Sequence, residues 1–462
     1  MGRPVFPVAD AFVLFGASGD LASKKLLPAL YGLTRDGRLE MPVVGIADSD
    51  WTDDEFRERA RQSVFARFGD ATDVEVLDRL CDRLGYISGD YADAQTWARL
   101  NARIEDQKVP VAFLAIPPAL FDPVVRGMSR IGLTERTRVV VEKPFGRDLA
   151  SARELNHTIH QHLDESQIYR IDHFLGKEPV QNLLVFRFAN SLMEAVWNRN
   201  HVASVTVTMA ESFGVEGRGR FFDEVGTIRD VVKNHLLQMV ALLTMEPPAS
   251  KNQHALLDEK VKVFRAMRPL EQQNVLRGQV IGYRDEPGVD PDSNTETFAA
   301  LRLEIDSWRW SEVPFYVRAG KSLAQDVTEA VVEFKQPPRM LFSEEDHLPD
   351  PCRLRFRMKP EHDITLRMQA KVPGMELVSR AVDMTVDYEE QLGGRVSDAY
   401  ERLIADALVG DQRLFARQDG VEQAWRIVNP ILDDSNPVLP YAPGSWGPAE
   451  AARFLPEGFD AG

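Results

Sequence analysis

Residues Arg170-Ile171-Asp172-His173-Phe174-Leu175-Gly176-Lys177-Glu178 gather an acid, an imidazole and an ammonium around a short apolar turn. A cation and a histidine can hold phosphate oxygens through charge-assisted hydrogen bonds, and an aspartate beside them can orient a second histidine acting as general base. The same spacing also describes a solvated helix start, so the segment does not decide itself. The candidate second histidine is His235, in the middle of an otherwise apolar helical run with Val231, Val232, Leu236, Leu237 and Met239. Imidazole titrates near ~6.5 and suits removal of a hydroxyl proton while hydride leaves the same carbon. A histidine in an apolar helix can equally be structural, and only a partner carboxylate favours catalysis.

A cofactor signal stands near the start. Phe12-Val13-Leu14-Phe15 runs into Gly16-Ala17-Ser18-Gly19-Asp20-Leu21-Ala22 and then into a helix carrying Leu26, Leu27, Ala29, Leu30 and Leu33. Glycines between a strand and a helix let backbone approach a pyrophosphate, and the helix N-terminus offers N–H groups and a positive dipole end. The pattern is not the full G-x-G-x-x-G, and a plain tight turn also fits it. The next apolar run ends in Asp48, whose carboxylate can accept hydrogen bonds from ribose hydroxyls and would repel a 2'-phosphate, or can serve as a turn residue before the following helix. On this physics NAD is favoured. The fourth apolar run ends in Glu142-Lys143-Pro144, which places a lysine at the carboxyl end of a strand, where ligands of parallel sheets bind, before a sharp turn that a cis proline can supply.

Alternating elements must position these groups. Short apolar runs at Ala11 to Phe15, Val43 to Ala47, Val111 to Ile116 and Val139 to Val141 suit buried parallel strands. Helical patterns separate them, one opened by a capping box at Thr52 and Glu55. This predicts an α/β Rossmann-type doubly wound N-terminal domain over 1–171. Beyond residue 200, polar and apolar residues alternate at 204–209, 301–306, 354–358 and 364–368, which predicts a larger α+β domain, 172–462, with a mainly antiparallel sheet. Helices expected to cover that sheet lie at about 227–243, 400–408 and 421–427. Trp308 and Trp310 read as core and interface residues on one strand. A sheet with one freer face often finds a second subunit, which makes a homodimer or homotetramer plausible.

Composition narrows the partners. The chain has 462 residues, 44% hydrophobic and 27% charged, with a net charge of -16, which disfavours nucleic acid and anionic membranes and leaves small molecules. Only Cys81 and Cys352 are present, so neither a disulfide framework nor a cysteine metal site is expected. The opening Met1 to Pro7 holds no long apolar stretch, and no segment approaches the ~20 apolar residues of a spanning helix, so a cytoplasmic protein is expected. His157, His160 and His162 form an H-x-x-H-x-H run on a polar helix, where only two share a face, so no metal is expected.

Taken together, the Gly16 to Ala22 turn, Glu142-Lys143-Pro144-Phe145-Gly146, Arg170 to Glu178, Asn234-His235-Leu236-Leu237-Gln238 and Arg318-Ala319-Gly320-Lys321 resemble, in order and spacing, the glucose-6-phosphate dehydrogenase family, and most closely its actinobacterial branch. The resemblance runs from about Ala11 to Pro448. It implies that the C1 hydroxyl of glucose 6-phosphate gives its proton to His235 while hydride passes to NAD or NADP, yielding 6-phosphogluconolactone in the oxidative pentose phosphate pathway. Asp172 would hold the base, His173 and Lys177 would grip the phosphate, Glu211 and Asp230 would accept sugar hydroxyls, and Lys321 would reach in from the larger domain. Lys143 would stand between sugar and nicotinamide. Gly16, Ala17, Ser18, Gly19, Asp20, Leu21, Ala22, Ser23, Asp48, Asp90 and Tyr91 would line the cofactor.

Two departures from the family pattern stand out. Asp48 replaces the arginine that many NADP-using members carry, and Asp326 occupies a position, five after Lys321, that is commonly basic. An inward Asp326 would weaken phosphate binding by ~1 kcal/mol or more unless a basic residue from elsewhere compensates. Two other readings share parts of the pattern. A Gfo/Idh/MocA-type sugar oxidoreductase has the turn and Glu-Lys-Pro without reason for the Asp172 to Lys177 cluster, and a non-catalytic dinucleotide sensor would lose the acid–base pair that this chain keeps.

Overall fold

The computed structural model describes residues 7–337, 349–393, 395, 397–432 and 437–454. Residues 1–6, which carry most of the opening segment, lie outside them. The chain forms two compact units, one of Met1–Glu178, Ser250–Leu257 and Val396–Glu422, the other of Pro179–Ala249, Asp258–Arg395 and Gln423–Gly462. The expected division at 171/172 follows chain order; these units do not, because two later segments fold into the first.

Strands are numbered in chain order. The first unit holds β1 (Ala11–Phe15), β2 (Val43–Ala47), β3 (Leu84–Ser88), β4 (Pro110–Leu114), β5 (Arg138–Val141), β6 (Ile168–Ile171) and β15 (Phe415–Ala416), in the order β15-β6-β5-β4-β1-β2-β3. All pairings are parallel except β15 on β6. Strands β1, β2, β4 and β5 are buried along their whole length, as a sheet covered on both faces requires. The doubly wound expectation is met. Three strands of this sheet lie outside the sequence expectation: β3, diluted by Gly85 and Ser88, β6, interrupted by Arg170, and the two-residue β15; because β3 precedes it, Glu142 follows the fifth strand rather than the fourth. The capping box is present, with Thr52 N–H donating to Glu55 at 2.7 Å and Glu55 N–H to the Thr52 hydroxyl at 3.3 Å.

The second unit holds β7 (Val202–Ala210), β8 (Val275–Val280), β9 (Phe298–Leu303), β10 (Phe315–Gly320), β11 (Val327–Phe334), β12 (Arg353–Lys359), β13 (Asp363–Lys371), β14 (Ser379–Asp387) and β16 (Leu439–Tyr441), in the order β14-β13-β12-β11-β7-β10-β9-β8-β16. This sheet is antiparallel apart from β10 on β7 and β16 on β8. The alternation in β12 is buried on one face only, as its sequence predicts. Trp308 and Trp310 lie in the turn 307–312 and not on a strand. Trp310 is core and donates to the Thr244 carbonyl at 2.8 Å, whereas Trp308 is 89% exposed.

The helix at Ala399–Val409 belongs to the first unit instead of covering the second sheet. Its apolar stripe of Leu403, Ile404, Ala407 and Leu408 enters the core that holds Leu27 and Leu30. The expected helix 227–243 is composite: Gly219–Thr227 is broken at Gly226 (φ 65), then Ile228–Leu236 is a wide π turn and Leu237–Thr244 an α-helix. Among the described residues no helix is long and apolar enough to cross a membrane.

Candidate active site

Strand β1 delivers the chain to Gly16, whose left-handed φ of 76° only glycine adopts easily. A Cβ there would lie 2.3 Å from the Ala115 carbonyl oxygen. The Gly16 N–H reaches the Ile46 carbonyl at 2.9 Å and the Tyr91 hydroxyl at 2.9 Å, and Gly19 N–H closes the turn on the Gly16 carbonyl at 3.0 Å. A helix then begins at Asp20, with a wide turn over Ala22–Leu26 in which Leu27 N–H reaches back to the Ala22 carbonyl. Asp20 turns to Lys24 at 2.8 Å, and that ammonium holds its carboxyl below the usual range. Ser23 shares a hydrogen bond with Ser63 at 3.0 Å. Tyr91 donates to the Ile46 carbonyl at 3.2 Å, and burial pushes its hydroxyl up to about 12. It thus pins the glycine turn to β2. Asp90 shapes the neighbouring turn by accepting the Ala92 N–H at 2.8 Å. Asp48 is exposed just past β2, beside Tyr86, which burial and that carboxylate raise to about 12. Backbone packed this closely before a helix N-terminus suits an anion such as a pyrophosphate, and Asp48 offers an exposed carboxylate at the end of β2.

Strands β5 and β6 are parallel neighbours in register through Val141 and Arg170, so Lys143 and Asp172 leave the same end of the sheet. The Lys143–Pro144 peptide is cis. Asp172 accepts the Phe174 N–H at 3.0 Å and opens the 3₁₀ turn His173–Gly176, so the segment is a helix start and a cluster of functional groups at once. Lys177 Nζ lies 4.9 Å from the centre of the Phe174 ring, and His173 stacks on Tyr400 with ring centres 6.2 Å apart. Glu142 is buried; desolvation lifts its carboxyl to about 7, opposed by a hydrogen bond from Tyr400 and by Lys143. Glu142 and Tyr400 stand against these side chains and are not singled out by the sequence. Tyr400 carries no local signal, because it reaches the cluster from more than 220 positions away in sequence; the buried ends of β5 could have drawn attention to Glu142.

In the second unit β7 and β10 run parallel, pairing Ala210 with Gly320, so the residues that follow them meet: Lys321 Nζ lies 2.6 Å from Glu211. Lys321 is buried, with Phe213 and Phe222 ring centres each 5.2 Å from its nitrogen. Asp326 accepts the Ser212 N–H at 3.1 Å and pairs with Lys359 at 3.3 Å, so a basic residue from another strand does face it. Lys359 Nζ is 5.8 Å from the Phe213 ring that Lys321 also touches. Asp230 and His235 both stand on the wide turn, Asp230 half-buried and His235 buried. Of the histidine run, His160 is engaged by the Leu163 carbonyl at 3.1 Å and by Glu165 at 3.2 Å.

Residues 13–182 match the family model described as glucose-6-phosphate dehydrogenase, NAD binding domain, and residues 184–459 match its C-terminal domain. The chain belongs to the glucose-6-phosphate dehydrogenase family. It is 44% identical over 97% of its length to glucose-6-phosphate 1-dehydrogenase 1 of Mycobacterium tuberculosis, covering 95% of that protein, and 41% identical to the Aggregatibacter actinomycetemcomitans enzyme, with 96% and 95% covered. The solved structure of the Mycobacterium avium glucose-6-phosphate 1-dehydrogenase superposes with a TM-score of 0.90 at 43% identity, with 97% of each chain covered. A glucose-6-phosphate dehydrogenase in complex with its substrate gives 0.92 at 35% identity, with 98% of each chain covered. The fold expectation is therefore met at family level, and a nicotinamide cofactor follows from the NAD binding domain.

Proposed function

We propose that this chain oxidises glucose 6-phosphate at C1 to the 1,5-lactone, the reaction for which its relatives are named. The observation that carries the reading is the match of both family domains across the chain. The nicotinamide accepts the hydride when bound. His235 takes the C1 hydroxyl proton, and Asp172 serves as the carboxylate that keeps the imidazole in the accepting tautomer. His173 and Lys177 bind the phosphate, Lys143 stands beside sugar and nicotinamide, and Glu211, Asp230 and Lys321 take sugar hydroxyls. Lys359, drawn in by Asp326, supplies the cationic charge that position 326 lacks.

Cofactor choice follows from charge. Asp48 at the end of β2 supports use of NAD at least as well as NADP, since a 2'-phosphate there would meet a carboxylate. A second copy of the chain fits the outer edge of the second sheet, where Val382, Met384 and Val386 of β14 expose apolar surface. The deciding experiment follows reduced nicotinamide with glucose, glucose 6-phosphate and each cofactor. Rapid turnover of glucose 6-phosphate alone is expected; silence with every sugar would favour a sensor, and equal rates on glucose would favour a broader sugar dehydrogenase.

A further inference from the structure

Asp230 and His235 stand five residues apart. On an α-helix five residues turn through about 500°, which leaves the two side chains about 140° apart on different faces. The segment that carries them is not α. Over Ile228–Leu236 the turn is wide, and Leu237 N–H reaches five residues back to the Val232 carbonyl. With that closure residue i+5 sits about one turn above residue i, so Asp230 and His235 come onto one face.

A wide turn is poorer in hydrogen-bond geometry and backbone packing than an α turn and is held by its surroundings. Two groups hold this one. Within it, the Asn234 amide donates to the carbonyls of Arg229 and Asp230 at 3.2 Å each, while its oxygen accepts from the buried Lys233 at 3.0 Å. At its start, Glu296 takes both leading N–H groups: its carbonyl accepts Thr227 N–H at 3.0 Å and its carboxylate accepts Ile228 N–H at 2.9 Å. The second carboxylate oxygen lies 3.3 Å from Arg277. Glu296 fits there because Gly226 has no side chain; a Cβ at Gly226 would lie 2.5 Å from Glu296 Oε1. Glu296 stands just before β9, so the sheet itself anchors the helix start.

We propose that Glu296 is a positioning residue: by capping the wide turn it fixes the register that sets Asp230 and His235 on one face, and it acts on proton transfer without touching substrate. The proposal rests on the reading of His235 as the base. The test uses the full-length protein with Glu296→Ala, Glu296→Asp and Glu296→Gln, with His235→Asn as reference. Glu296→Ala is expected to lower kcat about tenfold or more, to raise KM for glucose 6-phosphate, and to displace the pH profile of kcat/KM, while cofactor KM stays within about twofold. Glu296→Asp, too short to reach Ile228, gives a milder form of the same pattern, and decides the matter if the alanine variant does not fold. Glu296→Gln, whose amide oxygen still accepts the N–H, restores most of kcat. Folded Ala or Asp variants with wild-type kcat and pH profile, or a fall in Tm alone, overturn the proposal. If His235→Asn keeps the wild-type rate, it is the assignment of the base that fails, whatever Glu296 does.

Discussion

The helix that leaves Gly19 and the helix that begins at Ile228 are built alike and charged differently. Each follows a left-handed glycine and starts with a wide turn, Ala22–Leu26 in one case and Ile228–Leu236 in the other. At the first, the missing side chain lets backbone meet backbone, Gly16 against Ala115, and the turn is pinned by a neutral tyrosine hydroxyl. At the second, the missing side chain admits a carboxylate, and Glu296 already occupies the N–H groups that an anion would need. The first helix end therefore suits a pyrophosphate, whereas the leading N–H groups of the second are already taken. One backbone device gives two different helix starts because the group admitted by the glycine differs.

The largest effect that can break this comparison is expected at the base. His235→Asn should lower kcat by about a hundredfold to ten-thousandfold with cofactor KM little changed; a mild loss in steady-state kinetics would remove the second helix from catalysis. Gly16→Ala comes next. It forces an unfavourable φ, costing about 1–3 kcal/mol, and a clash with Ala115, so cofactor KM should rise at least tenfold while isothermal titration shows weakened cofactor binding. Lys177→Ala should raise KM for glucose 6-phosphate strongly, and a near-normal KM would mean that the phosphate lies elsewhere. Asp48→Arg should shift the NADP-to-NAD ratio of kcat/KM toward NADP by about tenfold, and an unchanged ratio would detach Asp48 from the ribose.

The smallest effect is on stability and belongs to the first unit. Burial raises Glu142 and Glu401 to about 7 and Asp406 to about 6. For an acid raised in the folded state, the folded chain binds more protons than the unfolded one between the two values. Stability therefore falls as pH rises from the ordinary carboxylate range through about 7. Thermal unfolding is expected at lower temperature at about pH 8 than at about pH 6, and Glu142→Gln should flatten that slope.

Much of this was legible in the chain. Buried apolar runs and glycine punctuation marked β1, β2, β4 and β5, because strands covered on both faces leave an unbroken apolar trace, and period-two alternation marked β7, β12 and β13. Strands β3 and β6 escaped because glycine, serine and a buried Arg170, satisfied by Glu165 at 2.6 Å and Asn156 at 3.0 Å, interrupt that trace. The helix at 399–409 was legible as a helix but not as a member of the first unit, since an apolar stripe does not say which core it enters.

The sequence by itself determined the residue types, their order along the chain and the family to which they belong, because motif spacing and hydrophobic period are local properties. Tertiary structure decided the rest. It set Lys359 against Asp326, joined Glu211 to Lys321 at the ends of two parallel strands, and brought Tyr400 to Glu142 and His173. It also chose a wide turn at Asp230 and His235, where the apolar pattern alone reads as an ordinary α-helix. Each of these depends on partners distant in sequence, and a hydrogen bond to Glu296 from Ile228, 68 positions away, has no trace in the local pattern.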